Sequence, residues 1–401
     1  MTDMTAARGV RQPFAALLAL KTLGRLAAGS LEMRLPNGHL RQLRGNTPGP
    51  AAGITIHDWR LFGRVMTSGD IGLAESYMAG DWDSPDLVRF IELLAANESA
   101  VDRLARPSWW RRALLRLQHA RRDNTREGSR KNIHAHYDLG NRFYETWLDT
   151  TMTYSSALYE GDPDRPLADA QRAKYERILD RLGARQGDSV LEIGCGWGGF
   201  AEAAARRGVK VHGITISEEQ LAYARARLAR AGLSDVASVE FRDYRDLEGQ
   251  FDHVVSIEMI EAVGERHWPS YFSTLRDRLR RGGKAIVQAI VIDEPWFQRY
   301  RNQPDFIQTY VFPGGMLPAV SSLRDQAARV GMALSATHGF GCDYARTLEA
   351  WLERFDAARE RVQGMGFDDR FVRMWRYYLA YCAAGFATGR TDVVQAEFMH
   401  V

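Results

Sequence analysis

Residues 190–199 read VLEIGCGWGG. An apolar run of the kind found in buried strands leads into glycines at Gly194, Gly196 and Gly198, and a helical pattern follows. Glycines at such a turn let the backbone bend tightly and approach a ligand closely. A glycine pattern alone also fits a dinucleotide site, but here the third glycine comes one residue earlier than in the dinucleotide fingerprint.

The segments on either side of this turn alternate between strand and helix patterns. Buried strands are predicted at 189–193, 210–214, 239–241, 252–257 and 284–289, and helices at 199–207, 218–231 and 268–279. Such a succession predicts an α/β, Rossmann-like fold with a parallel sheet covered by helices on both faces. Ligands of such sheets bind at the carboxyl ends of the strands.

Two more segments lie at those strand ends. Thr215, with Gln220 one helical turn later, follows the second strand, where a dinucleotide binder usually has Asp or Glu. Asp243 and Tyr244 follow the third strand and could hold the edge and the face of an adenine. Together with the glycine-rich turn, these residues favour S-adenosylmethionine over a nicotinamide cofactor.

The 401 residues are more than one hydrophobic core usually holds, so two domains are expected. Residues 1–100 predict a small α+β domain that contacts lipid or a second copy of the chain. It contains a hairpin of strands 31–35 and 40–44 and a helix capped by Ser84 that runs to about Ala96. No residue pattern requires a homodimer, and none excludes one.

A basic linker is expected at 101–131, before a catalytic domain at 132–401. From Arg106 to Lys131 the chain has nine Arg or Lys and two acidic residues, with Trp109 and Trp110 near the start. Arginines beside aromatic and leucine residues are typical of a helix at an anionic membrane surface. The alternative is a solvated basic linker. Nucleic acid is not expected, because nothing else in the chain supports that use of a basic patch.

The remaining composition indicates a protein of the cytoplasm. Three cysteines (Cys195, Cys342 and Cys382) with no Cys-x-x-Cys spacing predict neither a disulfide framework nor a metal site. No run of about 18 apolar residues predicts a membrane span. We therefore expect a cytoplasmic protein, peripheral on the inner membrane face.

Several long motifs occur in one order: HYDLGN at 136–141, MTYS at 152–155, TIS at 215–217, DYRDL at 243–247 and FPGG at 312–315. In these motifs the chain resembles the cyclopropane-fatty-acyl-phospholipid synthases and the related mycolic acid methyltransferases. The resemblance implies a class I methyltransferase domain that uses S-adenosylmethionine. The cofactor contacts it implies are Tyr154, Ser155, Gly194, Cys195, Gly196, Thr215, Ser217, Gln220, Asp243 and Tyr244.

The resemblance also implies a reaction. The double bond of an unsaturated phospholipid acyl chain attacks the sulfonium methyl, and a carbocation then loses a proton to a base. In the family that base is a bicarbonate held by Cys, Glu, His, Tyr and backbone groups. Glu261 and Tyr344 match that set, whereas Ser156 replaces the Cys and Gln288 the His. Serine and glutamine can still donate hydrogen bonds to an anion.

Glu258 is an addition to this set. It precedes Glu261 by three residues, so on a helical turn the two carboxylates would share a face and one pKa would rise. We therefore expect Glu258 or Glu261 to take the proton, directly or through a bound anion. Tyr137 is a further candidate, because an aromatic face stabilises a cation.

The sequence leaves several points open. The product can be a cyclopropane, an exocyclic methylene or a methyl-branched chain. The sequence also does not determine the position of the double bond, the head group of the lipid or whether a reductase acts afterwards. A soluble methyl acceptor and a non-catalytic cofactor-binding protein that docks on membranes are the alternative functions.

Overall fold

The computed structural model describes residues 12–24, 26–104 and 139–401. They fall into two compact units. The first takes its residues from Met1–Leu114 and Phe367–Ala384, and the second from Leu115–Gly366 and Gly385–Val401. The sequence did not indicate that residues 367–384 belong to the first unit. Tyr137 and the segment from Arg106 to Lys131 lie outside the described residues.

The first unit contains a four-stranded sheet in the order β2-β1-β3-β4. Strands β1 (Ala28–Arg34) and β2 (Leu40–Arg44) pair antiparallel, which confirms the predicted hairpin. Strand β3 (Thr47–Ile56) runs parallel to β1 and pairs antiparallel with β4 (Trp82–Asp83). The helices of this part of the chain are α1 (Phe14–Leu23), α2 (Arg60–Met78), α3 (Leu87–Ala96) and α4 (Glu98–Leu104).

The predicted cap of helix α3 was wrong by two residues. Asp86, not Ser84, is the N-cap, and its carboxylate accepts a hydrogen bond from the backbone N–H of Arg89 at 2.9 Å. The hydroxyl of Ser84 donates instead to the carbonyl of Gly53 at 2.8 Å. A carboxylate serves the same purpose as a hydroxyl here, because either oxygen accepts from an unpaired N–H of the first turn.

The remaining α-helices are α5 (Asn141–Tyr144), α6 (Leu167–Leu182), α7 (Gly199–Arg206), α8 (Glu218–Arg230), α9 (Trp268–Arg278), α10 (Glu294–Asn302), α11 (Val320–Arg329), α12 (Gly341–Ala357), α13 (Arg359–Gly364) and α14 (Asp369–Ala387). The strands of the second unit are β5 (Ser189–Ile193), β6 (Lys210–Thr215), β7 (Ala237–Phe241), β8 (Phe251–Ile257), β9 (Leu279–Ile292), β10 (Met332–Gly339) and β11 (Thr391–His400).

These seven strands form one sheet in the order β10-β11-β9-β8-β5-β6-β7. The five predicted strands are present and run parallel, whereas β11 runs antiparallel to both β9 and β10. The strand order reverses between β5 and β8. A crevice for a ligand opens at such a reversal, at the carboxyl ends of the strands.

Hydrophobic cores lie on both faces of this sheet. Alternate residues of β5 point to opposite faces, so Val190 packs in one cluster and Leu191 in the other. Residues of α6 and α7 cover the first face, and residues of α9 cover the second. The sheet is therefore doubly covered, as the Rossmann-like prediction required. No helix in the described ranges has the length and apolar character needed to cross a bilayer.

Candidate active site

The glycine-rich turn connects β5 to α7 with three glycines in the left-handed region. The φ angles are 83° at Gly194, 50° at Gly196 and 80° at Gly198, which a residue with a side chain rarely adopts. A Cβ at Gly194 would lie 2.9 Å from Cγ of Met259, whereas a Cβ at Gly196 would meet no atom within 4 Å. Gly194 thus allows close packing, and Gly196 leaves the backbone open to a ligand.

The loop after β6 is held by its own side chains. The hydroxyl of Thr215 donates to Oε1 of Gln220 at 2.9 Å and accepts from the backbone N–H of Ser217 at 3.1 Å. Ser217 caps helix α8, where its hydroxyl accepts from the backbone N–H of Gln220. The three predicted residues therefore lie together at the strand end, and Ser217 has a structural role independent of any cofactor.

The loop after β7 differs from the expectation in one respect. The Asp243 carboxylate accepts from the guanidinium of Arg245 through both oxygens, at 2.8 Å to Nε and 2.6 Å to Nη2. Arg245 was not singled out from the sequence, although it is part of the DYRDL motif. Tyr244 packs edge-on to Tyr271 at 5.8 Å, and burial raises the pKa of its phenol to about 12. Tyr244 is therefore a neutral aromatic surface at physiological pH.

The segment around Ser155 contacts a buried lysine that the sequence reading missed. Lys174 of helix α6 donates to Oγ of Ser155 at 2.5 Å and to Oε1 of Gln171 at 2.8 Å. The amide of Gln171 donates to the carbonyl of Ser155 at 2.9 Å. Lys174 is fully buried, and burial lowers the pKa of its ammonium group to about 7. A lysine between Ala170 and Ile178 on an otherwise apolar helix face was the available signal.

Tyr154 lies in an aromatic cluster. Its ring is 5.5 Å from each of the rings of Tyr144, Trp147 and Trp351. Helix α12 holds the chain that follows: the backbone N–H of Ala157 donates to the hydroxyl of Thr347 at 3.2 Å. The position of residues 154–157 is thus fixed from both sides, by packing and by hydrogen bonds.

Three hydrogen-bond donors converge on the carboxylate of Glu258. Its Oε1 accepts from the backbone N–H of Ser156 and from Nε2 of Gln288, each at 2.8 Å. Its Oε2 accepts from the hydroxyl of Tyr344 at 2.6 Å. Four of the predicted catalytic residues are therefore brought together. The contribution of Ser156 comes from its backbone, because its hydroxyl donates to the carbonyl of Ala157.

Glu261 has a different environment. Its Oε1 accepts from the backbone N–H of Ile290 at 2.5 Å, and its Oε2 is buried with no hydrogen-bond partner in the described parts of the chain. Burial, with the nearby charge of Glu258, raises the pKa of Glu261 to about 8. The two carboxylates do interact, but the predicted helical turn was the wrong reason. Glu258 has a φ of 50°, and the helical turn begins only at Ile260.

Comparisons with known proteins identify the family of the chain. A family model described as mycolic acid cyclopropane synthetase matches residues 124–396. The tuberculostearic acid methyltransferase of Mycobacterium tuberculosis is 42% identical over 341 residues, covering 83% of this chain and 79% of that protein. The cyclopropane-fatty-acyl-phospholipid synthase of Escherichia coli K12 is 36% identical over 361 residues, covering 89% of each chain.

Solved structures match about two thirds of the chain in fold. A mycolic acid cyclopropane synthase complexed with SAH and CTAB superposes with a TM-score of 0.62 at 28% identity, over 67% of this chain and 97% of the other. A cyclopropane synthase from Mycobacterium tuberculosis gives a TM-score of 0.63 at 29% identity, with the same coverage. The chain belongs to the mycolic acid cyclopropane synthetase family, and it is an S-adenosylmethionine-dependent methyltransferase that modifies lipid acyl chains.

Proposed function

We propose that this enzyme transfers the methyl group of S-adenosylmethionine to the double bond of an unsaturated phospholipid acyl chain. A carboxylate of the enzyme then removes a proton from the methylated chain. The observation that carries the proposal is the position of Glu258. Glu258 directly follows strand β8, its neighbour Met259 packs against Gly194 of the glycine-rich turn, and its carboxylate is held by three donors.

The reaction balances with the groups at hand. S-adenosylmethionine supplies an electrophilic methyl group on a sulfonium. The alkene π electrons form the new carbon–carbon bond, the electrons of the broken carbon–sulfur bond stay on sulfur, and the other alkene carbon becomes positive. Glu258 takes one proton, and the electron pair of the broken C–H bond either closes a cyclopropane or forms a carbon–carbon double bond.

Of the two carboxylates, Glu258 is the proposed base. Burial and the charge of Glu258 raise the pKa of Glu261 to about 8, so Glu261 is mostly protonated at neutral pH and a smaller fraction of it is ionised to accept a proton. Burial also raises the pKa of Glu258, but the charge of Lys174 and the three donors oppose that rise. A partly raised pKa suits a general base, because it combines an ionised fraction with sufficient basicity. A role for Tyr137 in stabilising the cation remains a prediction.

The proposed substrate is a phospholipid at a membrane surface. The relative from Escherichia coli is named for fatty-acyl phospholipid, which supports this class of substrate. The basic segment from Arg106 to Lys131 would attract anionic head groups of the inner membrane leaflet at about 1 kcal/mol for each cation. In this proposal the enzyme is cytoplasmic and peripheral on that membrane.

The test uses methyl-deuterated S-adenosylmethionine and vesicles of monounsaturated or fully saturated phospholipid. Mass spectrometry of the fatty esters should find the label in the unsaturated chains alone. Proton NMR then identifies the product: high-field ring protons mean a cyclopropane, and olefinic or methyl-branch signals mean that the proton leaves from another carbon.

The same assay separates the alternatives. Equal turnover with and without vesicles would indicate a soluble methyl acceptor. Cofactor binding without transfer to any lipid would indicate a binding protein. Label in saturated chains would contradict the alkene mechanism, because a saturated chain has no π electrons to attack the methyl group.

A further inference from the structure

The donors around Glu258 come from three separate parts of the fold. Ser156 lies in the segment held by helix α12, Gln288 lies in strand β9, and Tyr344 lies in α12 itself. The side chains of Gln288 and Tyr344 are buried, as is Ser156. Because these elements are positioned by the sheet and its core, we expect the donors to keep their places when the carboxylate is removed.

The direction of the Gln288 amide is set by a chain of hydrogen bonds. Arg177 can only donate, and its Nη1 donates to Oε1 of Gln395 at 2.6 Å. The amide nitrogen of Gln395 then donates to Oε1 of Gln288 at 3.1 Å. The amide nitrogen of Gln288 is therefore left to face the carboxylate. We call Arg177, Gln395 and Gln288 the amide relay.

These donors form an anion-binding site, because a backbone N–H, an amide N–H and a phenol O–H all point at one carboxylate. The buried ammonium group of Lys174 favours negative charge in the same place. Glu258 reaches the site from a left-handed backbone conformation (φ 50°), which residues with a side chain rarely adopt. Glycine would adopt that conformation without strain.

We infer that this site is built for a small planar anion of the carboxylate type, and that the chain fills it with its own Glu258. The enzyme therefore works without bicarbonate, and removal of the Glu258 side chain opens the site to bicarbonate or formate from solution. Both anions present two oxygens from one trigonal carbon, as the glutamate carboxylate does. The activity test of this inference rests on the proposed function, whereas the test of anion binding by thermal unfolding does not.

The experiment compares wild type with Glu258→Gly and Glu258→Gln. The glycine variant relieves the backbone conformation and leaves a space with its donors intact. The glutamine variant is the matched control, because its amide keeps the space filled and removes the charge. Each protein is assayed with labelled S-adenosylmethionine in buffer freed of carbon dioxide, then with added sodium bicarbonate or sodium formate, with sodium chloride at equal ionic strength as the reference.

Wild type should be equally active with and without bicarbonate. Both variants should lose about 10²- to 10⁴-fold in kcat, the usual contribution of a general base. Bicarbonate or formate should restore about tenfold or more of that loss in Glu258→Gly and nothing in Glu258→Gln. A wild-type enzyme that needs bicarbonate, or a glycine variant as active as wild type, overturns the inference.

Thermal unfolding gives a readout that does not need turnover. Formate should raise the Tm of Glu258→Gly by about 2–4 °C at an excess over its Kd and leave wild type and Glu258→Gln unchanged. A folded glycine variant that gains neither activity nor Tm from either anion overturns the inference. If wild type transfers no label to any lipid, the proposed function fails, and the Tm comparison alone then decides the anion site.

Discussion

Replacing Tyr344 by Phe should remove one hydrogen bond to Glu258 and little else. The ring lies 4.5 Å from that of Phe386 and 6.1 Å from that of Trp351, and phenylalanine keeps both contacts. The lost 2.6 Å bond helps to hold down the pKa of Glu258, so that pKa should rise in the variant. A hydrogen bond to a charged group contributes about 1.5–3 kcal/mol. At 1.36 kcal/mol per tenfold, its loss makes the ionised fraction of Glu258 roughly 10- to 150-fold smaller at pH values below its pKa.

The assay is the pH profile of kcat with saturating S-adenosylmethionine and unsaturated vesicles. Activity of Tyr344→Phe should fall most at low pH and recover towards the wild-type value as pH rises, since more of Glu258 then ionises. Tyr377→Phe, a change at a buried tyrosine of the first unit, is the control and should leave the profile in place. A loss that is equal at every pH, or an unmoved acidic limb, would refute the assignment of Glu258 as the ionising base.

Lys174→Met should also move the acidic limb of kcat to higher pH, because the ammonium charge lowers the pKa of Glu258. The pKa of Lys174 is about 7 in the folded protein against an ordinary 10.5, so the unfolded chain binds more protons between these two pH values. The unfolding free energy of wild type should therefore rise with pH in that range, by up to about 1.4 kcal/mol per pH unit relative to the variant. Urea unfolding that gives the same difference between wild type and variant at pH 7 and pH 9 would disprove this. Gln395→Leu should release the Gln288 amide and lower kcat about 2- to 10-fold, because one neutral hydrogen bond is lost. The Kd for S-adenosylhomocysteine, measured by calorimetry, should not change. Asp86→Ala should lower the unfolding free energy by about 1 kcal/mol through the lost cap of helix α3, and a urea midpoint equal to that of wild type would contradict that role.

The parallel part of the sheet could be predicted because its strands are buried on both faces. Residues 189–193 and 252–257 each contain adjacent apolar residues, Val190-Leu191 and Val254-Val255, and the two segments form β5 and β8 with at most one residue of difference in the bounds. Strand β11 was missed because Gln395 and Glu397 interrupt its apolar pattern. Both side chains are buried and paired with arginines of helix α6, a tertiary arrangement that local pattern cannot reveal.

Four residues of the candidate site were predicted from the sequence, but their geometry was not. Gln288, Tyr344 and Ser156 were named from motif positions and Glu258 from its spacing to Glu261, and the four residues meet in space. Motif spacing could not show that Ser156 acts through its backbone, or that Glu258 takes a left-handed conformation, because both depend on how distant segments pack. Lys174 was overlooked because a single lysine in a helix is ordinarily solvent-exposed.

The amide relay ties the chemistry of the site to the last strand of the sheet. Arg177 and Gln395 are 218 residues apart in sequence and Gln395 and Gln288 are 107 apart, yet the amide that faces the base depends on all three. A ribosome-bound chain that already contains the glycine-rich turn would still lack an oriented base until strand β11 has emerged and entered the sheet. The donor that faces the base is therefore set only when the last strand of the chain has joined the sheet, long after the glycine-rich turn has been made.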